Sequence, residues 1–335
     1  MKLTLRAMKT YGIQVFNQSF YEELMYNWTR PNGCKDKVQA CQDSMRDKEP
    51  QFLNLLSSTK HNANRTAPCN EAAQSCSLRT WDQYQSLNNG WYDIAHPKHD
   101  PFPLPHMQGY LREESVLAAL GVPVNYTAQS GVTAAAFDGT YDFIHGGFLS
   151  AVSDLLHAGV KVHLVYGDRD YACNWVGGEA ASLAVPWARQ DEFAEKAGYT
   201  PLLVPATQDE NRDESVLEFA GLTRQLGNFS FTRVFQAGHE VPSYAPAAAS
   251  AIFVRATFNR DIATGSQPLT DDLITSGPKH TWHVRHEPPV MPKPRCYVLK
   301  PGTCTPEVWD KVRRGEAVVR DWFVVEEEEA EIGEL

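Results

Sequence analysis

Two short segments constrain this chain more than anything else in it, and each follows an apolar run with the character of a strand. Residues 160–166 (V-K-V-H-L-V-Y) lead into Gly167-Asp168-Arg169-Asp170-Tyr171-Ala172-Cys173-Asn174-Trp175, and residues 229–235 (F-S-F-T-R-V-F) lead towards Gly238-His239-Glu240-Val241-Pro242. On an open α/β sheet, functional groups sit at the carboxyl ends of strands. An acid and a histidine at two strand ends can therefore meet only if those strands are neighbours. Acid first, histidine second is the order of the last two members of a Ser…Asp…His triad. The Gly-x-Ser-x-Gly turn that would present the serine occurs nowhere in the 335 residues.

The chemistry needs this pairing. A buried carboxylate fixes the tautomer of the imidazole and stabilises its protonated form, so the histidine can take a proton from a hydroxyl and return it to a leaving group. Asp170 follows its strand through a tight Gly167-Asp168 turn. His239 is held between Ala237-Gly238 and Pro242. An aspartate in a glycine turn is commonplace, so spacing alone leaves open two unrelated turns.

The surrounding pattern predicts three zones. Residues 1–110 mix short helical stretches, cysteines and aromatic, Pro-rich loops such as 100–105, which suits a cap inserted into a core. Residues 111–262 alternate helix and strand signals: helices over 111–120 and 147–157, a long, broken helix over 177–197, and a last one over 246–259 with Pro246 in its first turn. Such alternation implies a mostly parallel sheet flanked by helices. Residues 263–335 form a Pro-rich extension ending in the acidic run 326–329, expected to wrap the surface or stay disordered.

A net charge of −10 argues against a nucleic-acid binder, and no run of about 18 apolar residues predicts a membrane span. Residues 1–10 are basic but lack the apolar stretch of a signal peptide. Five Asn-x-Ser/Thr sequons nevertheless begin at Asn17, Asn27, Asn64, Asn125 and Asn228, and there are seven cysteines. Cys34 and Cys41 have the same spacing as Cys69 and Cys76. A nested pair, Cys34–Cys76 outside Cys41–Cys69, fits that symmetry and requires an oxidising compartment, although four cysteines allow three pairings. Cys296 and Cys304 can close a small loop, which leaves Cys173 as the odd thiol.

The residue identities carry a resemblance. Tyr166-Gly167-Asp168-x-Asp170-x-x-Cys173-Asn174-Trp175, followed by Gly177-Gly178-Glu179-Ala180 and Pro186-Trp187, resembles the acid segment of the carboxypeptidase Y-like serine carboxypeptidases. Val234-Phe235-x-Ala237-Gly238-His239-x-Val241-Pro242 resembles that family's histidine segment. The cysteine pattern is similar to its disulfide-stapled helical insertion, and the stretch around Tyr11-Gly12-Ile13 and Asn17-Gln18-Ser19 resembles the entry to that insertion in fungal members.

The resemblance covers roughly residues 8–262. It implies the second half of an α/β-hydrolase core carrying the helical insertion, in a secreted or vacuolar glycoprotein that removes C-terminal amino acids from peptides or proteins at acidic pH, without metal or other cofactor. Asp170 takes the role of orienting acid and His239 that of base, whereas Asp168 is a turn residue. Glu240, Cys173, Asn174 and Trp175 border the substrate pocket. A carboxylate at Glu240 favours release of Lys or Arg by charge complementarity.

The family's first half, with its nucleophile and oxyanion donors, is not matched, and acyl transfer loses its transition-state stabilisation without them. The missing N-terminal half is then a natural partner. The competing class is a non-catalytic secreted glycoprotein of the same fold that binds peptides or a partner; the cysteine insertion and the Cys173-Asn174-Trp175 signature argue against an esterase. Cys173 is expected to be a buried structural thiol rather than a nucleophile, which would need a nearby base and a lowered pKa. His280, His283 and His286, with His96, His99 and His106 as further candidates, raise a metal site, but the first three lie in a Pro-flanked extended tail whose i, i+3 spacing does not align side chains on one face, so none is assigned.

Overall fold

The computed structural model describes residues 10–13, 16–46, 67–76, 84, 87–98, 106–127, 129–141, 143–144, 146–206, 216–287, 295–320 and 322–325. The sequon at Asn64, His99, the loop 100–105 and the acidic run 326–329 lie outside them. The chain divides into two compact units, one built from residues 1–87, 91–94 and 137–289, the other from 88–90, 95–136 and 290–335.

The first unit begins with helices α1 (Gln18–Thr29) and α2 (Cys34–Arg46), and residues 67–76 form α3. Asn17 caps α1, its Oδ1 accepting from the Phe20 N–H at 2.9 Å. Cysteines two helical turns apart fall on one face of a helix. Those of α2 and α3 form the nested bridges Cys34–Cys76 and Cys41–Cys69, and the inner one is packed with Ala72 and Ile144.

Strands β1 (Val162–Gly167), β2 (Thr200–Pro205), β3 (Leu217–Leu226) and β4 (Phe229–Val234) make one sheet in the order β1-β4-β3-β2. Of its three pairings only β1–β4 is parallel, which corrects the expected mostly parallel sheet. The cause is the link between β3 and β4: Gly227-Asn228 closes a hairpin, with Gly227 at φ +51°, and a two-residue connection can only join antiparallel strands.

Alternation along β4 sends Phe229, Phe231 and Phe235 to one face and Val234 to the other. On the first face they pack with Leu156 of α4 (Phe148–His157), Trp175 and Val176 of α5 (Trp175–Leu183) and Phe193 of α6 (Gln190–Glu195). The broken helix expected over 177–197 is two helices, interrupted around Pro186, which lacks the N–H a helix interior uses. On the second face Val234, Leu202 and Val204 pack with Val241 of α7 (Val241–Tyr244) and with Ala248 and Ile252 of α8 (Pro246–Thr257).

The second unit contains helices His106–Tyr110 and Glu114–Leu120 and the bridge Cys296–Cys304. It also holds helix Pro306–Arg314, which is capped by Thr305 and ended by Gly315 in the left-handed region. Part of the extension is therefore ordered. No helix among the described residues is long and apolar enough to cross a membrane.

Candidate acid–base site

Because β1 and β4 are parallel neighbours, both end at the same edge of the sheet, and the loops that follow are laced together. The Asp168 N–H donates to the Val234 carbonyl at 3.0 Å, and the Arg169 N–H to the Ala237 carbonyl at 2.9 Å. Residues 91–94 are bound into both loops. Ile94 N–H donates to Arg169 O, Ala172 N–H to Trp91 O and His239 N–H to Tyr92 O, at 2.9, 3.2 and 2.8 Å. These approaches explain two glycines. A Cβ on Gly167 would lie 2.2 Å from the Gly238 oxygen, and one on Gly238 would lie 2.5 Å from the Tyr92 oxygen.

The lacing brings Asp170 and His239 together, with Oδ2 2.7 Å from Nδ1. The carboxylate is 3% exposed and the imidazole 38%. The other carboxylate oxygen accepts the Cys173 N–H at 3.2 Å. Burial pushes the Asp170 carboxyl above the usual carboxylate range, opposed by its bond and charge interaction with His239. The Tyr92 ring lies against the imidazole, centroids 4.6 Å apart. With Nδ1 bound to the carboxylate, Nε2 is the nitrogen left to exchange a proton.

Around this pair the other sequence candidates separate. Asn174 caps α5, its Oδ1 accepting the Gly177 N–H at 3.0 Å, and Trp175 is 1% exposed within the core. Glu240 is exposed at the start of α7, its side chain making no cap bond. Cys173, expected to be buried, is instead an exposed free thiol; desolvation of its sulfur and the Asp170 charge push it up, which keeps it protonated rather than nucleophilic.

One donor atom each from Asp170, Cys173 and His239 falls within 4.8 Å of the other two; these are the described residues whose arrangement is compatible with a metal ion. His280 and His283 have ring centroids 6.3 Å apart, while His286 packs against Tyr11 and Phe235. Of the described sequon asparagines, Asn17 and Asn125 are exposed. Asn228 uses its side-chain nitrogen, the atom a glycan would occupy, to donate to the carbonyl of Val160 at 2.9 Å.

Asp168, read from the sequence as a turn residue, is fully buried and ion-paired with equally buried Arg233, Oδ2 to Nη2 3.1 Å. No local signal marks that pair, whose partners are 65 positions apart.

Comparison with known proteins identifies the family. A family model described as Serine carboxypeptidase matches residues 2–259. Carboxypeptidase S1 homolog A of Arthroderma otae is 41% identical over 321 residues, covering 94% of this chain and 46% of that protein. The Carboxypeptidase Y homolog of Arthroderma benhamiae is 34% identical, with 94% and 48% covered. The chain thus spans about half the length of these relatives. Among solved structures, the prohormone-processing carboxypeptidase Kex1(delta)p of Saccharomyces cerevisiae aligns over 75% of this chain and 52% of its own, with 15% identity and a TM-score of 0.41, too low a likeness to argue from. With the matched model spanning both strand ends and the histidine loop, the chain belongs to the serine carboxypeptidase family.

Proposed function

We propose that this chain carries the acid–base half of a serine-type carboxypeptidase, which releases C-terminal amino acids from peptides. The observation behind it is the 2.7 Å contact between a buried Asp170 and a half-exposed His239 at adjoining parallel strand ends. In this role Asp170 holds the proton on Nδ1, so Nε2 takes the proton of a serine hydroxyl as it attacks the scissile carbonyl. His239 then delivers that proton to the departing amino acid. Serine and oxyanion donors would come from a preceding half that completes an α/β-hydrolase core, the natural partner of a chain spanning about half its relatives.

In the same reading, residues 1–110 supply the stapled insertion, 111–262 the second half of the core, and 263–335 an extension. The three disulfides suit passage through the secretory pathway, to the outside or to a vacuole. Glu240 and Cys173 border the substrate, and Asn17 and Asn125 are exposed sequons open to a glycan.

A serine-directed fluorophosphonate tests the proposal. Co-produced with the first half of Carboxypeptidase S1 homolog A, this chain should restore labelling and peptide trimming that neither half shows alone. His239→Gln should abolish the gain. Full labelling with His239→Gln would refute the assignment, and peptide binding without trimming would favour the non-catalytic class.

A further inference from the structure

We infer that the buried Asp168–Arg233 pair, with Tyr11, is a positioning device that sets the separation of Asp170 and His239. It acts through the backbone of the two loops that carry them, and it rests on the reading of those two residues as orienting acid and base.

Asp168 lies two residues before Asp170 in sequence. Its Oδ2 accepts Arg233 Nη2 at 3.1 Å and Nε at 3.4 Å. Its Oδ1 accepts the Tyr11 hydroxyl and, at 3.1 Å, the backbone N–H of Gln236. Gln236 lies three residues before His239 and has φ +54°, a left-handed conformation that a residue with a side chain adopts only when its surroundings impose it. The same N–H also meets the Tyr11 oxygen at 3.0 Å. One carboxylate therefore grips the loop of the acid by its own backbone and the loop of the histidine by a hydrogen bond at the turn.

The Arg233 guanidinium is held on every side. Nη1 donates to the carbonyl and hydroxyl of Thr281, both at 3.0 Å, and Nη2 to the Thr10 hydroxyl at 3.1 Å. Its Cζ lies over the Trp175 ring, 4.0 Å from the centroid. Two chain segments distant in sequence, 10–11 and 281, are thereby tied to the base of the site. A buried ion pair seldom stabilises a fold more than apolar residues of equal volume would. Here it supplies what an apolar pair cannot, a directional link between the loops. Of the four cross-links from 168–169 to 234–237, two join backbone to backbone and one joins the Arg169 and Gln236 side chains at 3.4 Å; this one alone ties a buried side chain to the backbone of the turn.

The test is histidine tautomer NMR on the 15N-histidine-labelled chain, with the His239 signal assigned by its loss in His239→Gln. It is read at a pH where the imidazole is neutral. Wild type should show the Nδ1–H form. Asp168→Asn removes a negative charge and Arg233→Met a positive one, so direct field effects on the ring oppose each other. Loosened loops act in one direction: both variants, and charge-neutral Tyr11→Phe, should lower the Nδ1–H to Nε2–H ratio about fivefold or more, as an aligned charge-assisted bond is lost. Leu202→Ala, a core truncation on the other face of the sheet, should destabilise the fold and leave the ratio alone.

Opposite shifts in Asp168→Asn and Arg233→Met, or an unchanged ratio in Tyr11→Phe, would overturn the positioning role while leaving the acid–base pair intact. An Nε2–H imidazole in wild type would overturn the acid–base reading, and this inference with it.

Discussion

His163 makes the stability of the sheet depend on pH in a direction the structure fixes. It lies on β1 in register with Ser230 of β4, Nδ1 2.8 Å from the serine hydroxyl, on the face covered by α7 and α8. Burial, then the charge of Lys161, lowers its pKa from 6.5 to about 4. The unfolded chain thus binds a proton near pH 6.5 that the folded chain refuses until about pH 4. Stability from this group is complete above the upper value and lost as pH falls to the lower one. At ~1.4 kcal/mol per pH unit the loss amounts to about 3 kcal/mol.

Asp168, Asp170 and Glu179, whose carboxyls burial raises, act with the opposite sign. Each contributes stability at low pH that disappears as pH rises. Comparing wild type with His163→Asn cancels them, and the asparagine amide can keep the Ser230 contact. Native-state hydrogen exchange of amides in β1 and β4 reads the sheet locally. After correction for intrinsic rates, wild-type protection should fall roughly fiftyfold more than that of the variant between about pH 7.5 and 4.5. Equal falls in the two proteins would refute the argument that His163 is held neutral.

Two further outcomes follow from the site. Because burial and the Asp170 carboxylate both raise the Cys173 thiol, iodoacetamide should alkylate it about threefold or more slowly than free cysteine at pH 7, with the gap closing as pH rises; a faster reaction would revive the nucleophile. In the reassembled enzyme, Glu240→Met should reduce release of C-terminal Lys relative to Leu by roughly threefold to tenfold. An unchanged ratio from matched peptides would turn Glu240 back into a surface residue.

What could be read from the sequence depended on how far apart the causes lie. Asp170 and His239 were legible because strand, glycine turn and functional residue are contiguous in each segment. The nested bridges were legible because equal cysteine spacing survives any loop between the arms. β3 was not. Its Leu217–Leu226 stretch carries Thr223, Arg224 and Gln225, polar residues that imply a surface but are fully buried. Their partners are remote: Thr232 for Thr223, the Lys279 carbonyl for Arg224, and the Ile262 N–H for Gln225. Missing β3 also hid the Gly227-Asn228 hairpin, and with it the antiparallel half of the sheet. Asp168 misled for the same reason, since an aspartate in a glycine turn is ordinary until Arg233, Tyr11 and Gln236 are seen to converge on it.

On the proposed reading, the same distances bear on what the acid–base pair can do by itself. The contacts described around Asp170 and His239 come from residues 10–11, 91–94, 167–175, 233–244 and 281, all within one compact unit of this chain. In the proposed role, the described groups that orient Asp170 and His239 belong to this chain, and the ordering a triad requires of them precedes the arrival of any serine. What this arrangement lacks is a place for developing negative charge, because the described groups around His239 include no pair of donors committed to an oxyanion. A prepared base without that stabilisation has little to accelerate, so catalysis should appear on assembly as a step, with the tautomer of His239 unchanged across it.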